Sequence, residues 1–365
     1  MIVYYAPIIF VLVSLVFLFV RARGVNLLLS TILVLFVTFI TGSNYYAVSD
    51  YDNYIELYNS IPDISVFKFS DLKYYYGEIG FVYLVSLLKY FSIPFVAFTL
   101  VLSFISIALK SYFYAEFNKN AFYSISMYLC LYFILVEFIV IRWSVAVAFI
   151  LVGYCFIFSK KYIYGMFFLL CSSVFHYFSL MFIVLSLFIN RFFSFRLYLV
   201  SILSVTFVSS LLSLLDLSFI SSFDTNISTT IAFYVLEKDT EIGLISRAKV
   251  FIYAVIILFY LGFKSRDYID KSSRFLINSS MIFIFFSILF FEFPALFQRA
   301  TVITDVFCIA TLVRIAECKL KGNIVSLFYI LLSFALVFIL WSFIDVNNSY
   351  NIRVWDYESW SIFLY

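Results

Sequence analysis

Runs of 14 to 21 apolar residues recur from one end of this 365-residue chain to the other, separated by short charged connections. Backbone N–H and C=O groups in hydrocarbon have no water to bond. A run of that length is therefore stable in a bilayer only as a helix that satisfies its own backbone. Composition agrees: 65% of residues are apolar and 12% charged, against about 25% charged in a soluble domain. Mean hydropathy is +1.08. These values exclude a soluble enzyme, a disordered chain and a nucleic-acid binder. The fold class expected is an all-α polytopic integral membrane protein, with residues 1–365 forming a single transmembrane domain.

Full spans are expected near 2–20, 26–42, 93–109, 121–137, 139–158, 162–176, 177–190, 197–215, 249–263, 275–291, 299–313 and 324–344, about 12 in all. The first is read as a retained span, since no basic n-region or small-residue cleavage site accompanies it. The piece 79–91 would be about 20 Å long as a helix, too short for a core of roughly 30 Å. It is expected to be re-entrant or interfacial.

Lys and Arg orient the spans. If 21–25, 110–120, 159–161, 191–196, 264–274 and 314–323 face the cytoplasm, they hold fifteen of the 24 basic residues and only four of the 21 acids. The segments 43–78, 216–248 and 345–365 then lie outside. All three are acidic, 43–78 and 345–365 are rich in Tyr or Trp, and no inner loop is comparable in size. The five Cys number odd, with no CxxC pair, so neither a disulfide framework nor a metal site is expected.

Ionisable groups against the grain of a membrane segment are functional candidates. Here they are Arg142, His176 (the only histidine), Arg299 and Asp305. Arg142, His176 and Arg299 all fall at the expected outer ends of spans. The bland readings are headgroup snorkelling for each Arg, a hydrogen-bonded structural His, Asp305 neutralising a neighbouring Arg, and Glu137 pairing locally with Arg142. In the outer segment, Ser49–Asp50–Tyr51–Asp52–Asn53–Tyr54–Ile55–Glu56–Leu57–Tyr58 sets Tyr51, Tyr54 and Tyr58 on one helical face. Carboxylates beside exposed rings suit sugar binding, since acids accept hydroxyl protons and rings cover the apolar sugar face. An interfacial aromatic belt is the equal alternative.

The order Asp50–Tyr51–Asp52–Asn53–Tyr54, Gly77–Glu78–Ile79–Gly80–Phe81, Ile141–Arg142 and Phe175–His176 resembles the EpsG-like family of Wzy-type polysaccharide polymerases. The likeness covers roughly 43–190, and beyond 197 is mainly one of hydropathy plus Arg299. Ile79 stands where the family usually has Pro, Trp143 where it has Gln, and Ser179 lies one place late after the His.

The resemblance implies a GT-C-like membrane glycosyltransferase in the bacterial cytoplasmic membrane, with its site facing the periplasm or cell exterior. Its substrate would be an undecaprenyl-diphosphate-linked oligosaccharide, and a chain-length regulator would be a partner. No cofactor or metal is implied. Arg142 and Arg299 would fork onto the leaving diphosphate. His176 would take the acceptor proton, imidazole being the side chain that titrates near neutral pH. Asp50, Asp52, Tyr54, Tyr58 and Glu78 would bind substrate, with Asp50, Asp52 or Glu78 as substitute bases. Two rivals remain open at this point, a transporter or flippase of lipid-linked oligosaccharide and an O-antigen ligase.

Overall fold

The computed structural model describes residues 2–17, 23–42, 49–68, 75, 78–133, 136–137, 140–212, 244–263, 269–319 and 331–332. Every regular element among them is helical. In order these are α1 (Ile2–Phe17), α2 (Arg23–Gly42), α3 (Ser49–Ser60), α4 (Ile79–Tyr90), α5 (Phe95–Phe117), α6 (Ala121–Tyr132), α7 (Ile141–Phe158), α8 (Tyr162–Phe175), α9 (Leu180–Leu185), α10 (Phe195–Leu212), α11 (Leu244–Phe263), α12 (Lys271–Leu289) and α13 (Pro294–Lys319). Six are long and apolar enough to cross a membrane: α2 from Gly24, α5, α7, α10, α11 to Gly262, and α12. The outward faces of α10 and α11 carry Leu199, Val200, Leu203, Phe207, Val255 and Phe259. Such stripes would drive aggregation in water and are at rest against lipid tails.

Most expected spans coincide with helices, but two details differ. Residues 177–190 are a 3-10 turn (Tyr177–Ser179), the six-residue α9 and further turns, not one continuous helix. Helix α5 runs on to Phe117 and takes in Lys110, which had been assigned to an inner loop. The expected span 324–344, apart from 331–332, lies outside the described residues, as do most of 216–248 and all of 345–365.

The chain divides into two compact units, residues 1–186 with 316–365, and residues 187–315. The first is organised around α7, where Trp143, Val145, Ala146, Val147, Ala148, Ile150 and Leu151 are wholly buried. Phe98 and Leu102 share a cluster with Ile141 and Val145, while Phe117 meets Phe158 at 5.1 Å, so α5 and α7 run parallel. Helix α6 is the return leg, and it ends in a π-type turn at Phe133, Val136 and Glu137. Helix α8 packs closely on α7 through paired glycines. A Cβ on Gly165 would stand 2.6 Å from the Ile157 side chain and 3.0 Å from the Gly153 carbonyl. Small residues at such crossings let helix backbones approach.

The short α4 has both ends beside the same region. Its start meets α7 and α8, and its end leads through Pro94 into α5, whose Thr99 hydroxyl donates to the Gly42 carbonyl of α2 at 2.7 Å. At 12 residues, α4 is shorter than the helices long enough to cross a membrane. In the second unit, Asn278 of α12 accepts from the Tyr198 hydroxyl at 2.9 Å and donates to the carbonyls of Phe188 and Ile189. Ser280–Thr311 and Ser287–Thr304 hydroxyl pairs tie α12 to α13. Asp270 caps α12, accepting from the Ser273 amide, and pairs with Arg314 at 3.0 Å.

Candidate functional site

The sequence Arg142–Trp143–Ser144 is the first turn of α7, and each side chain enters a different polar or aromatic group. Successive helical residues are about 100° apart, so three neighbours serve three directions.

Arg142 turns to α4 and α3. Its Nη1 donates to Glu78 at 2.5 Å, and its guanidinium carbon lies 5.6 Å from the ring centroids of both Tyr54 and Phe81. Glu78 occupies the N-cap position of α4 without capping it, so its carboxylate is spent on Arg142. The pair is mostly enclosed, with side-chain exposures of 18% and 11%. Gly80 makes the approach possible, because a Cβ there would stand 2.1 Å from the Val174 side chain of α8.

Trp143 turns to the break after α8. His176 leaves the helix with an extended backbone, while its amide still closes α8 on the Ser172 carbonyl at 3.0 Å. Its imidazole meets the buried Trp143 ring edge-on at 4.9 Å. Phe178 and Phe182 complete the same wall, at 5.7 Å and 6.3 Å from Trp143.

Ser144 turns inward to a fully buried ion pair, Lys110 with Glu137 at 2.5 Å. Lys110 also donates to the Ser144 hydroxyl at 2.7 Å, the Ser144 carbonyl at 3.0 Å and the Ser106 hydroxyl at 2.6 Å. Ser106 and Tyr128 donate to Glu137 at 2.9 Å and 2.6 Å.

A family model described as the EpsG family matches residues 27–359. The chain belongs to the EpsG family. No curated protein and no solved structure matches it. Family membership points to a polymerase of the exopolysaccharide and O-antigen type.

Within this EpsG-family chain, Arg142, His176, Glu78 and Tyr54 come together around the head of α7 and the start of α4. Arg299 belongs to the other unit. It is half-buried, with its Nε enclosed and without a hydrogen-bond partner among the described residues, and it enters no ion pair among them. Asp52 is exposed on α3, and the side chain of Asp50 lies outside the described residues.

Three expectations are corrected. Tyr54 and Tyr58 form the expected helical stripe, but the rings are buried, packed on Phe81, Phe98 and Val85, where exposed rings were expected. Glu137 pairs with Lys110, not with Arg142. Asp305 pairs with Lys249 of α11, not with an arginine. Sequence reasoning missed Lys110 and Lys249. The spacing Ser103, Ser106, Lys110 along one side of α5 was the available sign that the helix continued with a polar stripe.

Beside α3 and α4 an open cleft of about 640 Å³ is lined by Tyr58, Asn59, Ile61, Asp63, Lys89, Ser92 and Pro94, among others. The Ser65 hydroxyl and amide hold the Asp63 carboxyl below its usual range. Burial pushes the Lys89 ammonium down, against the pull of Asp63. Lys89 donates to the carbonyls of Asn59 at 3.1 Å and Ile61 at 2.6 Å, closing the C-terminal end of α3.

Proposed function

We propose that this protein polymerises lipid-linked oligosaccharide repeat units into a surface polysaccharide, as a membrane glycosyltransferase of the bacterial cytoplasmic membrane working on its outer side. The observation that carries the proposal is the first turn of α7, which sets the Arg142–Glu78 pair and the Trp143–His176 contact side by side in an EpsG-family chain. Twelve crossings, a GT-C-like arrangement and a chain-length regulator as partner belong to the same proposal.

In the proposed step, an acceptor sugar hydroxyl attacks the anomeric carbon of the donor glycan. The new glycosidic bond forms as the bond to undecaprenyl diphosphate breaks, the diphosphate keeps the electron pair, and the hydroxyl proton passes to a base. Arg142 is suited to the diphosphate because a guanidinium forks onto phosphate oxygens, and partial enclosure strengthens a charge-assisted bond. Glu78 and Tyr54 orient that fork. His176 is the proton acceptor. Asp50 and Asp52 are placed at the sugars, with the open cleft beside α3 giving a glycan room to lie.

The test is chain length in cells. Arg142→Ala and His176→Ala should leave single repeat units on the lipid carrier and no long polysaccharide, at normal protein level. Normal chain lengths in both variants would remove these residues from the reaction and return the flippase and ligase readings. Cysteine labelling of 43–78 from outside the cell checks the orientation.

A further inference from the structure

Lys110 and Glu137 lie outside the group that the proposed reaction uses, yet an extended buried polar network is built on them. Both are buried in a chain that spans lipid, and each makes several bonds at once. Burying two charges costs more in desolvation than their attraction returns unless the geometry is very good, so such a pair is weak ground for a stability role. Its connections suggest another role. Lys110 reaches from α5 to both the hydroxyl and the carbonyl of Ser144, the residue directly after Trp143 and two after Arg142. Glu137 holds the other end at the π-type turn where α6 stops, just before α7 begins. Interruptions of this kind re-aim a helix and recur at functional sites.

We propose that Lys110 and Glu137 are positioning residues: their ion pair, latched to Ser144, sets the height and rotation of the first turn of α7, and through it the placing of Arg142 and Trp143. The inference rests on the reading of Arg142 and His176 given above. Catalytic groups must be held to within fractions of an ångström, and a small misplacement costs rate more than binding.

The experiment replaces both charges together. Lys110→Met with Glu137→Gln preserves volume and leaves no lone buried charge, a change that is often neutral or stabilising for folding. Purified wild type and variant are reconstituted in lipid vesicles with an undecaprenyl-diphosphate-linked repeat unit. The expected result is an unchanged or higher thermal midpoint, a kcat about tenfold lower, and a KM within about threefold. Wild-type kcat at wild-type stability would overturn the proposal. Ser144→Ala removes the hydroxyl arm of the latch and keeps its carbonyl arm and the ion pair, so it tests the side-chain latch if the double variant does not fold. It should lower kcat in the same direction, and an unchanged kcat would overturn the proposal.

A second readout does not depend on the reaction. With Trp341, Trp355 and Trp360 replaced by Phe, Trp143 is the sole tryptophan. Its emission should shift in the double variant as the ring leaves His176, Phe178 and Phe182. An identical spectrum would mean that the pair positions nothing. If wild type itself forms no polymer in the vesicles, the functional reading has failed, and the emission arm alone decides whether the pair positions α7.

Discussion

Two ion pairs hold the first turn of α7, and they differ in how far solvent reaches them. Arg142 and Glu78 keep side-chain exposures of 18% and 11%, whereas Lys110 and Glu137 stand at 0% and 1%. A partly open pair can exchange its carboxylate for another anion, because the exchange swaps one charge-assisted bond for another. A sealed pair cannot be reached, and removing one member strands the other in a medium that cannot solvate it. Similar chemistry thus serves two purposes within a single helical turn. On the proposed reading, the rim pair meets the ligand and the sealed pair fixes geometry. The second unit has a pair of its own, Lys249 with Asp305, at side-chain exposures of 10% and 0%, whereas its half-buried Arg299 has no ionic partner among the described residues.

Breaking the sealed pair by one partner should give the largest effect. Lys110→Ala or Glu137→Ala should destabilise the protein by about 3–5 kcal/mol, read as a fall in thermal midpoint in detergent and in the amount of protein in the membrane. Arg142→Ala should act in the opposite sense on the two readouts. Polymer formation should fall about a hundredfold or more, roughly 2.7 kcal/mol in the barrier, with little change in the thermal midpoint. Arg142→Lys should remain strongly impaired, since an ammonium cannot fork onto two phosphate oxygens. Gly80→Ala sharpens the comparison from the side. Its methyl would collide with Val174, costing about 1–3 kcal/mol and shifting Glu78 away from Arg142. The smallest effect is expected far from α7, where Asp270→Ala removes the cap of α12 and costs about 1 kcal/mol.

The membrane character was legible because it depends on run length alone, and the helices fall close to the apolar runs. Arg142 and His176 stand out as candidates because an ionisable group in such a run has few reasons to be there. Partner choice was not legible. Glu137 lies five residues before Arg142, and local reach favours that pairing, but the π-type turn directs its carboxylate to Lys110 of α5. Lys110 itself sits where an apolar run gives way to charge, the pattern of a helix end. Only packing against α6 and α7 shows that the helix continues through it. The tyrosine stripe of α3 illustrates the same limit, since period gives the face but not the direction it points.

The most direct measurement is made on purified protein in lipid vesicles supplied with an undecaprenyl-diphosphate-linked repeat unit. Wild type should release undecaprenyl diphosphate in step with polymer growth, while Arg142→Ala, folded to the same thermal midpoint, should release almost none. Equal release by the two proteins would contradict the assignment of the reaction to the head of α7.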